Sequence, residues 1–319
     1  MKHSITLALL ALLVSAAVAS GASGPPGSFS TTGYTTNLLP ITEFPFLIPS
    51  QYAFLPSGYA KFHIQARGGP LYDDDALCQS LYSAPACDAL CQPFGSTCGA
   101  NGSFEGSFSF DELGIVDPST GNGANDGRLT ITTADGTADV RFGGPAGATS
   151  VSGAFEFLGG TSAYRTLNGI GSYAGNAGYV FRVDYAPCGQ PGQPACPSAL
   201  CATRGEELKL LRPKAVWTLA NSGEQSVRLE RLLLHWPEQN GALTSVRLGG
   251  RVLAAGRWDA PWVELNLNPV PAADREIRSG KNSKLMLDFA NMGIGQMPAD
   301  YTFLAEFSPG CSAIHVAFP

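Results

Sequence analysis

Between residues 104 and 185 the chain repeats one pattern: apolar side chains at every second position, broken by short glycine-rich turns. Phe104, Gly106, Phe108 and Phe110 alternate with Glu105, Ser107 and Ser109. Val151, Gly153, Phe155 and Phe157 do the same, as do Tyr179, Phe181, Val183 and Tyr185. This spacing suits a strand with one buried face; a helix repeats its faces about every 3.6 residues. Leu129 to Thr132, then Asp135-Gly136, then Ala138, Val140 and Phe142 read as a hairpin, since Asp and Gly tolerate the positive φ of a tight turn. Residues 117–127 read as one long turn, rich in Asp, Asn, Ser and Gly. No helical pattern separates these strands, so an antiparallel barrel or sandwich is expected.

Composition agrees. Charged residues make up 14% and glycines number 38, a balance that favours turn-rich β structure over solvated helices. Hydrophobic residues make up 44% of 319, enough to exclude general disorder and to supply two cores. The charge is uneven. Residues 20–186 hold 14 acids and 6 bases, while residues 204–319 hold 12 acids and 13 bases. The first part repels nucleic acid and anionic lipid, and the second has no dense basic cluster, so no nucleic-acid partner is expected.

Lys2, the apolar run Ile5 to Val14 and the small residues Ala17-Val18-Ala19 read as a signal peptide over residues 1–19, with the mature start near Ser20. The run is too short to span a bilayer, and no later stretch is long enough. The expectation is a secreted protein, extracellular, at the cell surface or periplasmic, with no membrane span in its mature form. Export turns the eight cysteines, Cys78, Cys87, Cys91, Cys98, Cys188, Cys196, Cys201 and Cys311, toward disulfides rather than metal. Cys188–Cys196 is expected to staple a Pro/Cys joint at 187–203, and Cys201–Cys311 to tie the first and last strands of the C-terminal domain.

The joint separates two β domains. Residues 20–36 read as a flexible leader and 37–186 as a barrel-like domain. Prolines 40, 45, 49 and 56 precede one strand at Ala60 to Ala66, and a Cys-rich excursion occupies 71–100. Residues 204–319 carry short apolar runs, among them Val227 to Leu229 and Leu232 to Trp236. Turns at Asn221-Ser222-Gly223, Asn240-Gly241 and Gly249-Gly250 separate them, as in a β-sandwich.

Two resemblances accompany this reading. Gly159-Gly160-Thr161, Tyr164, Leu167, Gly169, Gly171 and Tyr173 resemble the glycine-rich hairpin of the barrels that include allene oxide cyclases and dirigent proteins; Ser162 departs from that pattern. The resemblance implies a small closed antiparallel barrel with an apolar interior, and no catalytic residue is carried over. Trp217 to Asn221, Leu234-His235-Trp236-Pro237, Leu248-Gly249-Gly250 and Phe307 to Ser312 resemble a sandwich module of secreted and surface bacterial proteins, similar in layout to carbohydrate-binding modules.

Catalytic constellations are scarce. Beyond His3 the histidines are His63, His235 and His315, and no Gly-x-Ser-x-Gly elbow occurs. Gly169-Ile170-Gly171 lacks the strand–helix setting of a dinucleotide site. Asp73 to Asp75 and Asp111-Glu112 read as solvated acidic faces rather than an acid/base pair. No cofactor is expected. Asp117, Asn122, Asn125 and Asp126 are the oxygen ligands on which a structural calcium would draw. Trp258 and Trp262, flanking Asp259-Ala260-Pro261, are the candidate stacking platform for a sugar. The leading expectation is a non-catalytic binding or surface-associated protein whose partner is a polysaccharide or cell-surface component. The alternative is a barrel enzyme of the cyclase/isomerase type, its apolar pocket lined by Phe104, Phe108, Phe155, Tyr173 and Phe181.

Overall fold

A computed structural model of the chain describes residues 29–34, 49–72, 106–146, 150–165, 167, 169–176, 180–187, 202–293, 295–308 and 310–318. Among them the fold is all-β, in three antiparallel sheets. The signal segment, the Cys-rich excursion beyond Tyr72 and the joint from Cys188 to Cys201 lie outside the described residues.

The first sheet has nine strands: β1 (Phe29–Tyr34), β2 (Pro49–Phe54), β3 (Ala60–Tyr72), β4 (Gly106–Val116), β5 (Gly123–Thr133), β6 (Gly136–Ala146), β7 (Ser150–Gly160), β8 (Gly169–Asn176) and β9 (Val180–Pro187). Its order is β1-β9-β8-β7-β6-β5-β4-β3-β2, with β1 also meeting β3 at Thr32↔Tyr72 and Gly33↔Leu71. Several details depart from the sequence expectation, among them the strand Pro49–Phe54 within a stretch read as proline-broken loops. Residues 29–34, read as part of a leader, pair with β9 from Phe29↔Tyr185 to Tyr34↔Val180; ladder hydrogen bonds are made by backbone and need no apolar side chain. The turn read at 117–127 is shorter, because Gly123 to Gly127 pair with Val116 to Glu112. Asn125 and Asp126, which looked like turn residues, have strand partners for their side chains. The hairpin loop is Ala134-Asp135, since Thr133 already pairs with Gly136. Gly136 has φ +136, and a Cβ there would lie 2.6 Å from the Thr161 carbonyl oxygen, so the position requires glycine.

The remaining strands are β10 (Thr203–Leu211), β11 (Lys214–Asn221), β12 (Val227–His235), β13 (Leu243–Leu248), β14 (Arg251–Trp258), β15 (Trp262–Asn266), β16 (Glu276–Ile277), β17 (Lys281–Phe289), β18 (Thr302–Ser308) and β19 (Cys311–His315). One sheet runs β10-β11-β17-β13-β14; the other runs β15-β12-β18-β19, with β16 beside β12. Their facing sides share one core around Trp217, Leu232, Leu234, Trp236, Leu285 and Phe303, all fully buried. Each buried Leu or Phe of this kind contributes about 1.5–3 kcal/mol relative to exposure.

β12 explains why two apolar runs form one strand. Val227, Leu229, Leu232 and Leu234 all face that core, although strict alternation would put 229 and 232 on opposite sides. A bulge between Leu229 and Arg231 restores the parity. β14 carries little strand signal in the sequence. It is an edge strand on which Arg251, Val252, Ala255, Gly256 and Arg257 are exposed, so burial leaves little period-two signal.

The outer face of the β12/β18/β19 sheet meets the first sheet. Leu233, Leu304, Ile314 and Val316 pack there against Leu55, Ile115 and Ala124. The seam is edged by Tyr59, Leu113 and Phe318. The first sheet therefore has a near face, turned to this seam, and a far face turned away from it.

Candidate functional site

The two tryptophans of the expected platform sit in different environments. Trp258 ends β14 and packs against the paired-sheet core, whereas Trp262 begins β15 and is 38% exposed. Between them the chain crosses from one sheet to the other through a cis Ala260-Pro261 bond. The Pro261 carbonyl accepts from the Trp236 backbone N–H at 2.9 Å. Trp262 pairs with His235 across strands, which places it beside the seam.

The polar part of the seam surrounds Lys61, Arg231, His235 and His315. Lys61 Nζ donates to the Ala317 carbonyl at 2.7 Å and lies 4.6 Å from the centre of the Phe318 ring. Burial pulls its ammonium below the usual range, against the opposing pull of Asp300. Arg231 donates Nε and Nη2 to Glu306 at 2.7 and 2.5 Å, and Nη1 to Glu264 and to the Tyr59 hydroxyl at 3.0 Å each. These acceptors, Glu306 foremost, hold the guanidinium firmly protonated. Burial, and secondarily Lys61, push the His235 imidazole down to about 4. Its Nε2 is buried without a hydrogen-bond partner, so the ring is neutral at pH 7. Burial also lowers His315, whose Nε2 donates to the Pro298 carbonyl at 2.9 Å.

A second polar group lies on the far face of the first sheet. In β4 alternate residues part company. Asp111 points to the near face, where its carboxylate oxygens lie 2.7 Å from His63 Nε2 and 2.8 Å from the donating Gln65 Nε2. Glu112 points the other way and accepts from Asn125 Nδ2 at 2.7 Å. Asp111-Glu112 is thus not one solvated acidic face: strand alternation divides the pair. Burial raises the Glu112 carboxyl to about 7, with the Asn125 hydrogen bond opposing. Period two puts residue 112 on the face of Phe108 and Phe110; that spacing is the signal that singles out Glu112 in the sequence.

The four candidate calcium ligands do not converge. Asp117 caps its own turn, accepting from the Ser119 N–H and hydroxyl and from the Thr120 hydroxyl. Asn125 is turned to Glu112, while neighbouring Asp126 lies on the opposite face and pairs with Arg141 at 2.8 Å. Asn122 is exposed on the 117–122 turn. Among the described residues no cluster of three His, Cys, Asp or Glu forms a metal site. Of the expected pocket rings Phe155 is buried; the side chains of Phe104, Phe108, Tyr173 and Phe181 lie outside the described residues. Cys311 is disulfide-bonded, and the other seven cysteines lie outside the described residues.

No family model matches the chain, and no curated protein matches it. Among solved structures it is similar to a Paenibacillus xanthan lyase at 9% identity and a TM-score of 0.21, with 83% of this chain and 33% of that chain covered. The chain thus spans about a third of that structure's length, and a likeness this slight bears on neither fold nor function.

Proposed function

We propose that the chain is a secreted, non-catalytic binding or surface-associated protein. In this reading it consists of a barrel-like first domain and a β-sandwich that takes a polysaccharide or cell-surface component through Trp262. The observation that carries the binding assignment is the environment of that ring. It stands partly exposed on an edge strand. Aromatic faces of this kind pack against the C–H faces of sugars. Trp258 is partly buried against the core, which leaves Trp262 as the more exposed ring of the platform.

The first sheet is not the closed barrel that the resemblance implied, but the barrel-like reading has two supports. β1 meets both β9 and β3. In addition, far-face residues such as Phe62, Ile131, Val140 and Phe157 are buried, as when a sheet covers its own face by rolling up. The Cys201–Cys311 bridge is supported by the bond from Thr203 Oγ1 to the Ser312 carbonyl at 3.0 Å, which brings the start of β10 beside β19. The alternative, a cyclase/isomerase-type barrel enzyme, has one observation in its favour: the buried carboxyl of Glu112.

Affinity electrophoresis of the full chain in polysaccharide gels tests the binding reading. Retardation that Trp262→Ala abolishes supports it; unchanged mobility of that variant in a retarding gel overturns the role of Trp262.

A further inference from the structure

Glu112 is the one ionisable group among the described side chains on the far face of β3 to β7. Lys61, His63, Asp111, Asp126, Arg141 and Glu156 all alternate to the near side. There the charges find partners: His63 with Asp111, Arg141 with Asp126, and Glu156 with Arg204. Among the described side chains no cation shares its face. Its Oε1 accepts from Asn125, and its Oε2 has no partner among the described residues.

The surroundings are aromatic. Directly across from Glu112 stands Gly127, and directly across from Gly127 stands Phe142. The Phe142 ring leans over the glycine so closely that a Cβ at Gly127 would lie 2.4 Å from it. On the next row Phe62 does the same over Gly114, at 2.0 Å. The two missing side chains thus bring two rings down beside the carboxyl. Phe155 continues the Glu112 row beyond Phe142 and is buried. Glu112 itself is half-buried and keeps part of its surface accessible.

A buried carboxylate without a counter-charge is unfavourable, and a ligand that brings a cation relieves it. Aromatic faces attract cations as well. We propose that the far face of the first sheet binds a small organic amine, its ammonium on Glu112 and its apolar body against the partly accessible ring of Phe142. Asn125 is a positioning residue that holds one carboxyl oxygen and leaves the other for the ligand. Because part of the Glu112 population carries a proton near neutrality, binding of an ammonium ion releases that proton to solvent.

The site is separate from Trp262, and the test keeps the two apart. The full chain is titrated calorimetrically with phenethylammonium and, as a neutral match, 2-phenylethanol. Both titrations are run at pH 7 in phosphate and in MOPS, whose ionisation heats differ. The expected result is amine binding at least about tenfold tighter than alcohol binding, with a heat that differs between buffers as proton release requires. Glu112→Gln removes the amine's advantage and leaves the alcohol unchanged, while Trp262→Ala changes neither. Equal binding of the two probes, failure of both to bind, or full amine affinity in folded Glu112→Gln overturns the proposal. A thermal melt establishes that each variant is folded.

Discussion

Arg231 of β12 donates to the hydroxyl of Tyr59, from the loop between β2 and β3, at 3.0 Å, the same guanidinium that binds Glu306 and Glu264. It thereby joins the first sheet to the outer face of the paired sheets, beside the apolar contacts of Leu233 and Ile115. Truncation to Arg231→Ala leaves two carboxylates facing each other without a cation and is expected to cost about 1–3 kcal/mol in urea unfolding. Tyr59→Phe is expected to cost about 0.5–1.5 kcal/mol. The two losses are expected to be non-additive, since both remove the same bond. Additive losses in a double-mutant cycle would show that this bond contributes nothing.

His235 makes the seam acid-sensitive. Its folded value, about 4, lies below the ordinary 6.5, so the native chain binds fewer protons than the unfolded one between those values. The corresponding stability is present above pH 6.5 and is lost as pH falls toward 4. Burial and Lys61 are the causes, and His315 beside the same lysine is shifted in the same direction. Urea midpoints measured from pH 7 to pH 4 are expected to fall less steeply in His235→Gln than in the wild type. Parallel curves would refute the assignment.

Glu112 acts in the opposite sense. Its folded value is raised from 4.5 to about 7, so stability is full below 4.5 and declines as pH rises through 7. Glu112→Gln is therefore expected to be more stable than the wild type at pH 8, by on the order of 1–3 kcal/mol, and to lose that gain at pH 4. Chemical denaturation at the two pH values measures the difference.

The two tryptophans separate stability from binding. Trp258→Ala empties a site packed on the core and is expected to cost about 1–3 kcal/mol. Trp262→Ala is expected to cost less than about 1 kcal/mol and to abolish retardation in polysaccharide gels. Thermal melts and affinity gels, run on both variants, make the comparison.

Cys311 is buried and bridged. Peptide mapping under non-reducing conditions is expected to recover it joined to Cys201, and Cys311→Ser to lose about 2–4 kcal/mol. A peptide joining Cys311 to any cysteine before residue 186 would rule out that pairing.

The sequence by itself determined where most strands lie and what ends them. Alternation from Phe108 through Phe157 and turns such as Gly249-Gly250, whose φ angles of +58 and +88 require glycine, are local properties that any fold of this chain has to satisfy. Alternation also implied that one face of each strand is covered. It did not say by what. Leu233 looks like any core leucine of β12, yet it lies outside the core that Leu232 and Leu234 share and packs instead on Ile115, more than a hundred residues earlier. Asp111 and Glu112 are neighbours of the same chemistry, and only the arrangement of β3, β5 and β6 around them gives one a histidine and the other an asparagine. The physical reason is range. Backbone conformation answers to adjacent residues, whereas burial and ionisation answer to whatever the folded chain brings within a few ångströms.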